Sequence, residues 1–200
     1  MKYEGDIIRP PSEAFSLLLQ VTVGCSHNRC TFCPSFKGKR FRIKGIDEIV
    51  EDLEYAARRF RQAERLFLCD GDALIIPQPR LVEILEAVRA HLPGVRRIGT
   101  YANAKSIRKK TAAELRELRE RGLGIVYLGI ESGNEEILRR IRKGATYERI
   151  VEAARKVKDA GITLSVTVML GIGGAQNSTE HARDTARILT DVDPDFAFAG

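Results

Sequence analysis

Three cysteines, Cys25, Cys30 and Cys33, fall within nine residues of the stretch GCSHNRCTFCPSFKG. Their spacing, C-x4-C-x2-C on a loop leaving a strand-like run, lets the thiolates wrap one metal centre. Three protein ligands leave such a centre an open coordination position, and an open position is where a substrate or cofactor binds. Zinc is one competitor, with His27 as a fourth ligand, although structural zinc usually draws on two separate two-ligand knuckles. A redox pair of Cys30 and Cys33 is another, and it leaves Cys25 without a role. Unligated structural thiols are the third, but three of them beside Gly, Ser, His and Asn are hard to bury as core. The fourth cysteine, Cys69, sits alone in the apolar run RLFLC, where a thiol acts as a small core residue.

The elements that must hold this loop follow from periodicity. The runs SLLLQVTV, RLFLC, VRRIGTY, GIVYLGI, GITLSVTVML and DFAFAG are strand-like, and stretches such as IDEIVEDLEYAARRF and TYERIVEAARKVKDAG place apolar residues at helical spacing between them. Alternation of this kind gives an α/β fold with a parallel sheet, here a partial TIM-type (β/α)6 barrel. Residues 1–200 read as one core domain with residues 1–15 as a lead-in. The last run reaches Gly200 without its helix, which reads as truncation after the sixth strand. Pro93-Gly94, Gly122 and Gly161 mark one end of the sheet, where helices stop. The other end collects the cysteines, Asp70-Gly71-Asp72, Tyr101 and Asn103, Glu131-Ser132-Gly133, and Gly171 to Gly174. In parallel α/β folds that carboxyl end carries the site.

Composition narrows the field. The chain has 200 residues, 44% hydrophobic and 30% charged, with a net charge of +6, so it tolerates an anionic partner or nucleic acid without demanding either. The opening MKYEGDIIRPPSEAF resembles neither a signal nor a transit peptide, which makes the cytoplasm the expected compartment. The uncharged stretch 160–179 mixes Thr, Ser, Gly, Gln and Asn into its apolar residues and reads as a buried strand, not a membrane span.

The loop GCSHNRCTFCP resembles the cluster loop of the radical SAM enzymes, whose most frequent spacing is C-x3-C-x2-C. This chain has one extra residue in the first gap and keeps the aromatic residue, Phe32, before the last cysteine. Tyr127 to Thr146, YLGIESGNEEILRRIRKGAT, is similar to the fourth-strand segment of the branch that includes the methylthiotransferases and the oxygen-independent coproporphyrinogen oxidases. The resemblance implies that Cys25, Cys30 and Cys33 hold a [4Fe-4S] cluster. It implies that S-adenosylmethionine chelates the fourth iron, and that an electron from the cluster cleaves it to a 5′-deoxyadenosyl radical that abstracts hydrogen from a substrate.

By the same resemblance Asp70, Gly71 and Asp72 contact the cofactor amino group, with a turn capped by Asp72 as the alternative. Glu131 accepts the ribose hydroxyls; Ser132 is either a cofactor contact or, with Glu135, a capping box. Gly171 and Gly173 let backbone lie against the adenine. One residue of Arg139, Arg140, Arg142, Lys143 or Arg155 could meet the cofactor carboxylate; otherwise these line helix surfaces. The run Lys37, Lys39, Arg40, Arg42 and Lys44 is expected as a solvated face. The resemblance also implies an electron donor such as a flavodoxin or ferredoxin, and it leaves the substrate open. Two rival functions stand beside this one: a tRNA-modifying methylthiotransferase-like activity, and an electron carrier that uses the cluster without cleaving a cofactor.

Overall fold

The computed structural model describes residues 1–200, and no helix in it is long and apolar enough to cross a membrane. Six parallel strands form one sheet whose spatial order is the order of the chain: β1 (Leu17–Gln20), β2 (Arg65–Cys69), β3 (Arg97–Ala102), β4 (Leu123–Glu131), β5 (Thr163–Val168) and β6 (Phe196–Ala199). Each strand pairs only with its predecessor and successor, so β1 and β6 are edges and the sheet is an open barrel. The expected partial barrel is therefore the observed architecture.

Helices α1 (Ile46–Arg59), α2 (Gln78–His91), α3 (Ala104–Lys109), α4 (Ala112–Glu120), α5 (Glu135–Arg140), α6 (Tyr147–Asp159) and α7 (Ser178–Val192) fill the crossovers. Alternate residues of each strand face opposite sides of the sheet. Leu66 and Leu68 of β2, Val126 and Leu128 of β4, and Leu164 and Val166 of β5 belong to a core of 40 buried residues shared with the helices. The other register faces the concave side, where Phe67 and Cys69 join Ile125 and Tyr127 in a second buried cluster packed by Ile7, Leu18 and Tyr101. The rings of Phe67, Tyr101 and Tyr127 meet edge to face, with centroids 5.1 to 6.0 Å apart. Cys69 is thus a core thiol, with its Sγ 3.5 Å from the Phe67 carbonyl.

Residues 1–16 are more than a lead-in. They run across the concave face, where Ser12 bonds the Tyr127 hydroxyl at 2.9 Å. The fully buried Glu13 accepts hydrogen bonds from Arg97 and Tyr127, both at 2.6 Å. This segment fills the half of the barrel nearest β1 and leaves the half nearest β6 open.

The run expected as a single first strand breaks after Gln20. Thr22–Val23 instead pairs antiparallel with Arg42–Ile43, closing residues 24–41 into one excursion at the carboxyl end of the sheet. The basic run at its end is a solvated face only in part: Lys37 and Arg40 are exposed, whereas the other three are engaged. Lys44 is buried against Asp52 and the Lys2 carbonyl, Arg42 pairs with Glu48 and Glu4, and Lys39 donates to the Asp6 carbonyl.

Candidate functional site

The cysteine loop is pinned at both ends and in the middle. The Gly24 amide donates to Asp70 Oδ2 at 2.9 Å, and Gly71 returns an amide bond to the Gly24 carbonyl at 3.2 Å. Ser26 donates to Asp72 Oδ2 at 2.6 Å, His27 Nε2 to the Arg142 carbonyl at 2.7 Å, and the Thr31 amide to the Ile141 carbonyl at 2.9 Å. Within the first gap Asn28 adopts a left-handed φ of 41°, a conformation asparagine tolerates better than most residues, and donates its side-chain amide to the Phe36 carbonyl.

So anchored, Cys25, Cys30 and Cys33 are free, half-buried thiols on the wall of one cavity of about 490 Å³ at the carboxyl ends of the strands. The rim also carries Gly71 after β2, Asn103 after β3, Glu131 at the end of β4 and Met169 after β5. Five segments far apart in the chain therefore converge there. A Cβ at position 71 would stand 2.8 Å from the Cys25 Cβ and 3.0 Å from the Phe36 ring, so only glycine lets β2 come this close to the thiols. No three His, Cys, Asp or Glu side chains are grouped as a single metal ion would require, and His27 is engaged with Arg142. Three thiols on one wall, with no histidine or carboxylate grouped with them, are the soft donor set that iron–sulfur clusters use. Burial pushes the Cys30 thiol up, and the nearby Lys143 ammonium opposes it.

Glu131 takes its place by an irregularity. The β4–β5 register shifts between Gly129 and Glu131, and Glu131 adopts a φ of 65°, unusual for a residue with a side chain. Such positions persist where surroundings over-determine them, often at sites of function. The bulge turns the carboxylate into the cavity, where Oε1 accepts from Lys143 Nζ at 2.8 Å. The pair folds over Gly129, where a Cβ would stand 2.8 Å from the ammonium. Lys143 is thus the basic residue on the cavity wall among those considered, and the cue is local: Arg142 and Gly144, both at positive φ, turn the chain inward after α5. Arg139 pairs with Glu136 on the surface, Arg140 holds the Ile172 and Gly173 carbonyls, and Arg155 is exposed. Tyr127, Thr167 and Met169 also line the cavity and carried no sequence signal beyond strand register.

Several expected contacts are corrected. Asp70 is fully buried and outside the cavity lining; its Oδ2 holds Gly24 and Gln20, its Oδ1 has no partner, and burial pushes its carboxyl up. Asp72 is neither a rim acid nor the expected helix cap. Its carboxylate is buried under Ser26, Asn103 and Ser106, each at 2.6 Å. Of that triplet only Gly71 lines the cavity. The capping box at Ser132 does not form: Asn134 caps α5, and Glu135 reaches the Tyr147 amide. Ser132 is buried, donating to His181 Nδ1 at 2.9 Å, while His181 Nε2 donates to the Met169 carbonyl at 2.9 Å and ties the ends of β4 and β5 together. Gly171 and Gly173 lie outside the cavity: Gly171 turns at φ 72° in open space and Gly173 packs on α7.

The Asp72 knot has a pH signature. Burial pushes this carboxyl up to about 6, against the hydrogen bonds from Ser106, Ser26 and Asn103 that pull it down. Between the ordinary aspartate range near pH 4 and about 6, the folded chain keeps a proton that the unfolded chain has released. Unfolding free energy should therefore fall as pH rises through that window, by at most about 1.4 kcal/mol per unit, and the contribution should level off above it. Urea midpoints across the window measure the slope, and Asp72→Asn should remove this part of it.

Known proteins are similar to this chain in sequence and in fold. The family model described as the radical SAM superfamily matches residues 19–186. A tRNA-2-methylthio-N(6)-dimethylallyladenosine synthase of Roseiflexus is 26% identical over 183 residues, covering 88% of this chain and 38% of that protein. Across three such curated relatives the chain spans 36% to 38% of their length. Among solved structures, the fold is similar to the radical S-adenosylmethionine methyltransferase TsrM of Kitasatospora setae with cobalamin and [4Fe-4S] cluster bound (TM-score 0.73, 20% identity, 92% of this chain and 36% of that one). It is also similar to methylornithine synthase (TM-score 0.69, 20% identity, 92% of this chain and 52% of that one).

Proposed function

The chain belongs to the radical SAM superfamily, and on that premise we propose that its residues 1–200 form one core domain of an enzyme that holds a [4Fe-4S] cluster on Cys25, Cys30 and Cys33 and binds S-adenosylmethionine beside it. One observation carries the reading: three half-buried thiols share a single cavity with a bulge-directed acid and a partly buried ammonium. When bound, the two cofactors supply a 5′-deoxyadenosyl radical able to take a hydrogen atom from a substrate.

The protein's part is binding, orientation and exclusion of water. The backbone carbonyl of Gly71, the one residue of its triplet on the cavity wall, offers an acceptor for the cofactor ammonium. Lys143 supplies a donor for its carboxylate, and Glu131 accepts from the ribose hydroxyls once its pairing with Lys143 relaxes. Phe32, Phe36 and Tyr101 wall the cavity with apolar surface, which strengthens each of these charged contacts. Asp70 and Asp72 act one step back, by holding Gly24 and Ser26 and so the arc on which the cysteines stand. A one-electron reductant such as a reduced flavodoxin or ferredoxin completes the system.

Anaerobic reconstitution with iron and sulfide, followed by reduction, should give an iron–sulfur paramagnetic signal that changes when S-adenosylmethionine is added, and 5′-deoxyadenosine should accumulate. A stable zinc content with no iron uptake sinks the proposal. A cluster whose signal ignores the cofactor favours the electron carrier instead. Lys143→Met should load iron normally yet weaken cofactor binding about 10- to 100-fold, the worth of one hydrogen bond to a charged group. A second reading, a tRNA-modifying methylthiotransferase activity, is favoured by the similarity to the Roseiflexus protein. It requires an RNA affinity that falls steeply with salt.

A further inference from the structure

Below the cofactor cavity the open half of the barrel holds a second chamber of about 400 Å³. Tyr101, Tyr127 and Thr167 line both, so the two spaces adjoin across a wall of two tyrosines and a threonine. The upper part of the chamber is apolar and aromatic, lined by Tyr101, Tyr127 and Ile125 and by Phe196 and Phe198 of the edge strand, both at least half exposed. Its lower end is cationic. Arg9, Arg65 and Arg97 point there from the N-terminal segment, β2 and β3, and no aspartate or glutamate lines the chamber. Arg97 is the only one of the three with an acid partner, the buried Glu13, and its Nε is a buried donor with no hydrogen bond. Arg9 and Arg65 pair with no carboxylate. Two guanidinium groups without a counter-charge beside an apolar space are complementary to an oxyanion on an apolar body.

We propose that this chamber is the substrate subsite and that it selects a small molecule with an aromatic or apolar body ending in a carboxylate or phosphate. The body lies against Tyr101, Tyr127 and Phe198 and presents its far end to the cofactor cavity. The anionic end is held by Arg9 and Arg65. The inference rests on the proposed enzyme reading for its meaning, but the binding it requires needs neither cluster nor turnover.

Two fluorescent probes that differ only in charge test it on the full chain. 1-Anilinonaphthalene-8-sulfonate carries an aromatic body with one anionic group, and N-phenyl-1-naphthylamine carries the same rings without it. The sulfonate should bind at least about tenfold more tightly, which is the worth of one charge-assisted hydrogen bond. The double variant Arg9→Gln/Arg65→Gln alters two side chains with no partner in the fold. It should remove that preference while leaving the neutral probe unchanged. Ser165→Trp, which fills the chamber from β5, should reduce binding of both probes. Displacement of the sulfonate by phenylphosphate against phenylacetate then tells which oxyanion is preferred. Equal affinity for the two probes, or a sulfonate affinity untouched by the arginine variant, overturns the proposal. Failure of the two readings is distinguishable: a chain that loads no cluster but keeps the anion preference sinks the enzyme and leaves the subsite. A chain that loads cluster and lacks the preference sinks the subsite alone.

Discussion

Cys30→Ala is expected to leave a folded chain that takes up almost no iron and makes no 5′-deoxyadenosine. Cys30 is half-buried on the cavity wall, near the Lys143 ammonium, and is flanked by Asn28 and Thr31, both bonded to other segments. Its neighbours therefore have no freedom to bring a substitute ligand forward. The folding core is remote from it, so the loss should appear in iron content and not in stability. Iron per chain should drop from about four to less than about a tenth of that after reconstitution, because two thiolates cannot retain a cube that three can. Cys69→Ala is the informative companion. That thiol is buried on the concave face beside Phe67, and burial pushes it well above the ordinary thiol range, so it is a packing group. Cys69→Ala should keep full iron and lose about 1 kcal/mol of stability by urea titration, the cost of a small cavity. Iron retained by Cys30→Ala, or lost by Cys69→Ala, would mean that the cluster is held elsewhere.

The features that the chain announced are those set by local chemistry. RLFLC became β2 residue for residue, because a short apolar run between turn signals has one plausible fate in an alternating pattern. The cysteine triplet was legible because thiols so closely spaced have few uses outside metal binding. What stayed hidden was decided by distant partners. Glu13 looked like any acid in a polar lead-in, yet its partner Arg97 lies 84 residues away, and together with Tyr127 they draw the N-terminal segment into the barrel. Lys143 could not be chosen from four neighbouring basic residues until the left-handed turn at Arg142 and the bulge at Glu131 were known. The acids after β2 were misjudged for a related reason. A carboxylate suits an ammonium on paper, but three hydroxyl and amide donors already surround Asp72, and the Gly24 amide already holds Asp70. Motif position located a segment that meets the cavity at Gly71; whether side chain or backbone faces the cavity depended on packing that no single segment encodes.

Gly71→Val should disconnect the cluster from the fold without touching a ligand. A Cβ at this position would meet the Cys25 Cβ at 2.8 Å and the Cys25 Cα at 3.2 Å, with the Phe36 ring at 3.0 Å closing the remaining side. Contacts this short are not tolerated, and the Gly71 amide is itself tied to the Gly24 carbonyl, so the strain can be relieved only by moving the loop that carries Cys25. Two outcomes compete. If the sheet yields, stability should fall by about 1 to 3 kcal/mol, the usual cost of overpacking, and iron uptake should survive. If the loop yields, stability should hardly change and iron uptake should collapse. The second is expected, because β2 is locked between β1 and β3 and packed on both faces, whereas residues 24–41 are joined to the sheet by a handful of hydrogen bonds. Gly94→Ala is the matched control, since its added Cβ would lie 3.6 Å from its nearest neighbours, an ordinary contact. Iron content and urea midpoint measured together on both variants separate the outcomes. A Gly71→Val chain with full iron and an unchanged midpoint would show that the close approach of β2 to Cys25 is not what seats the cluster.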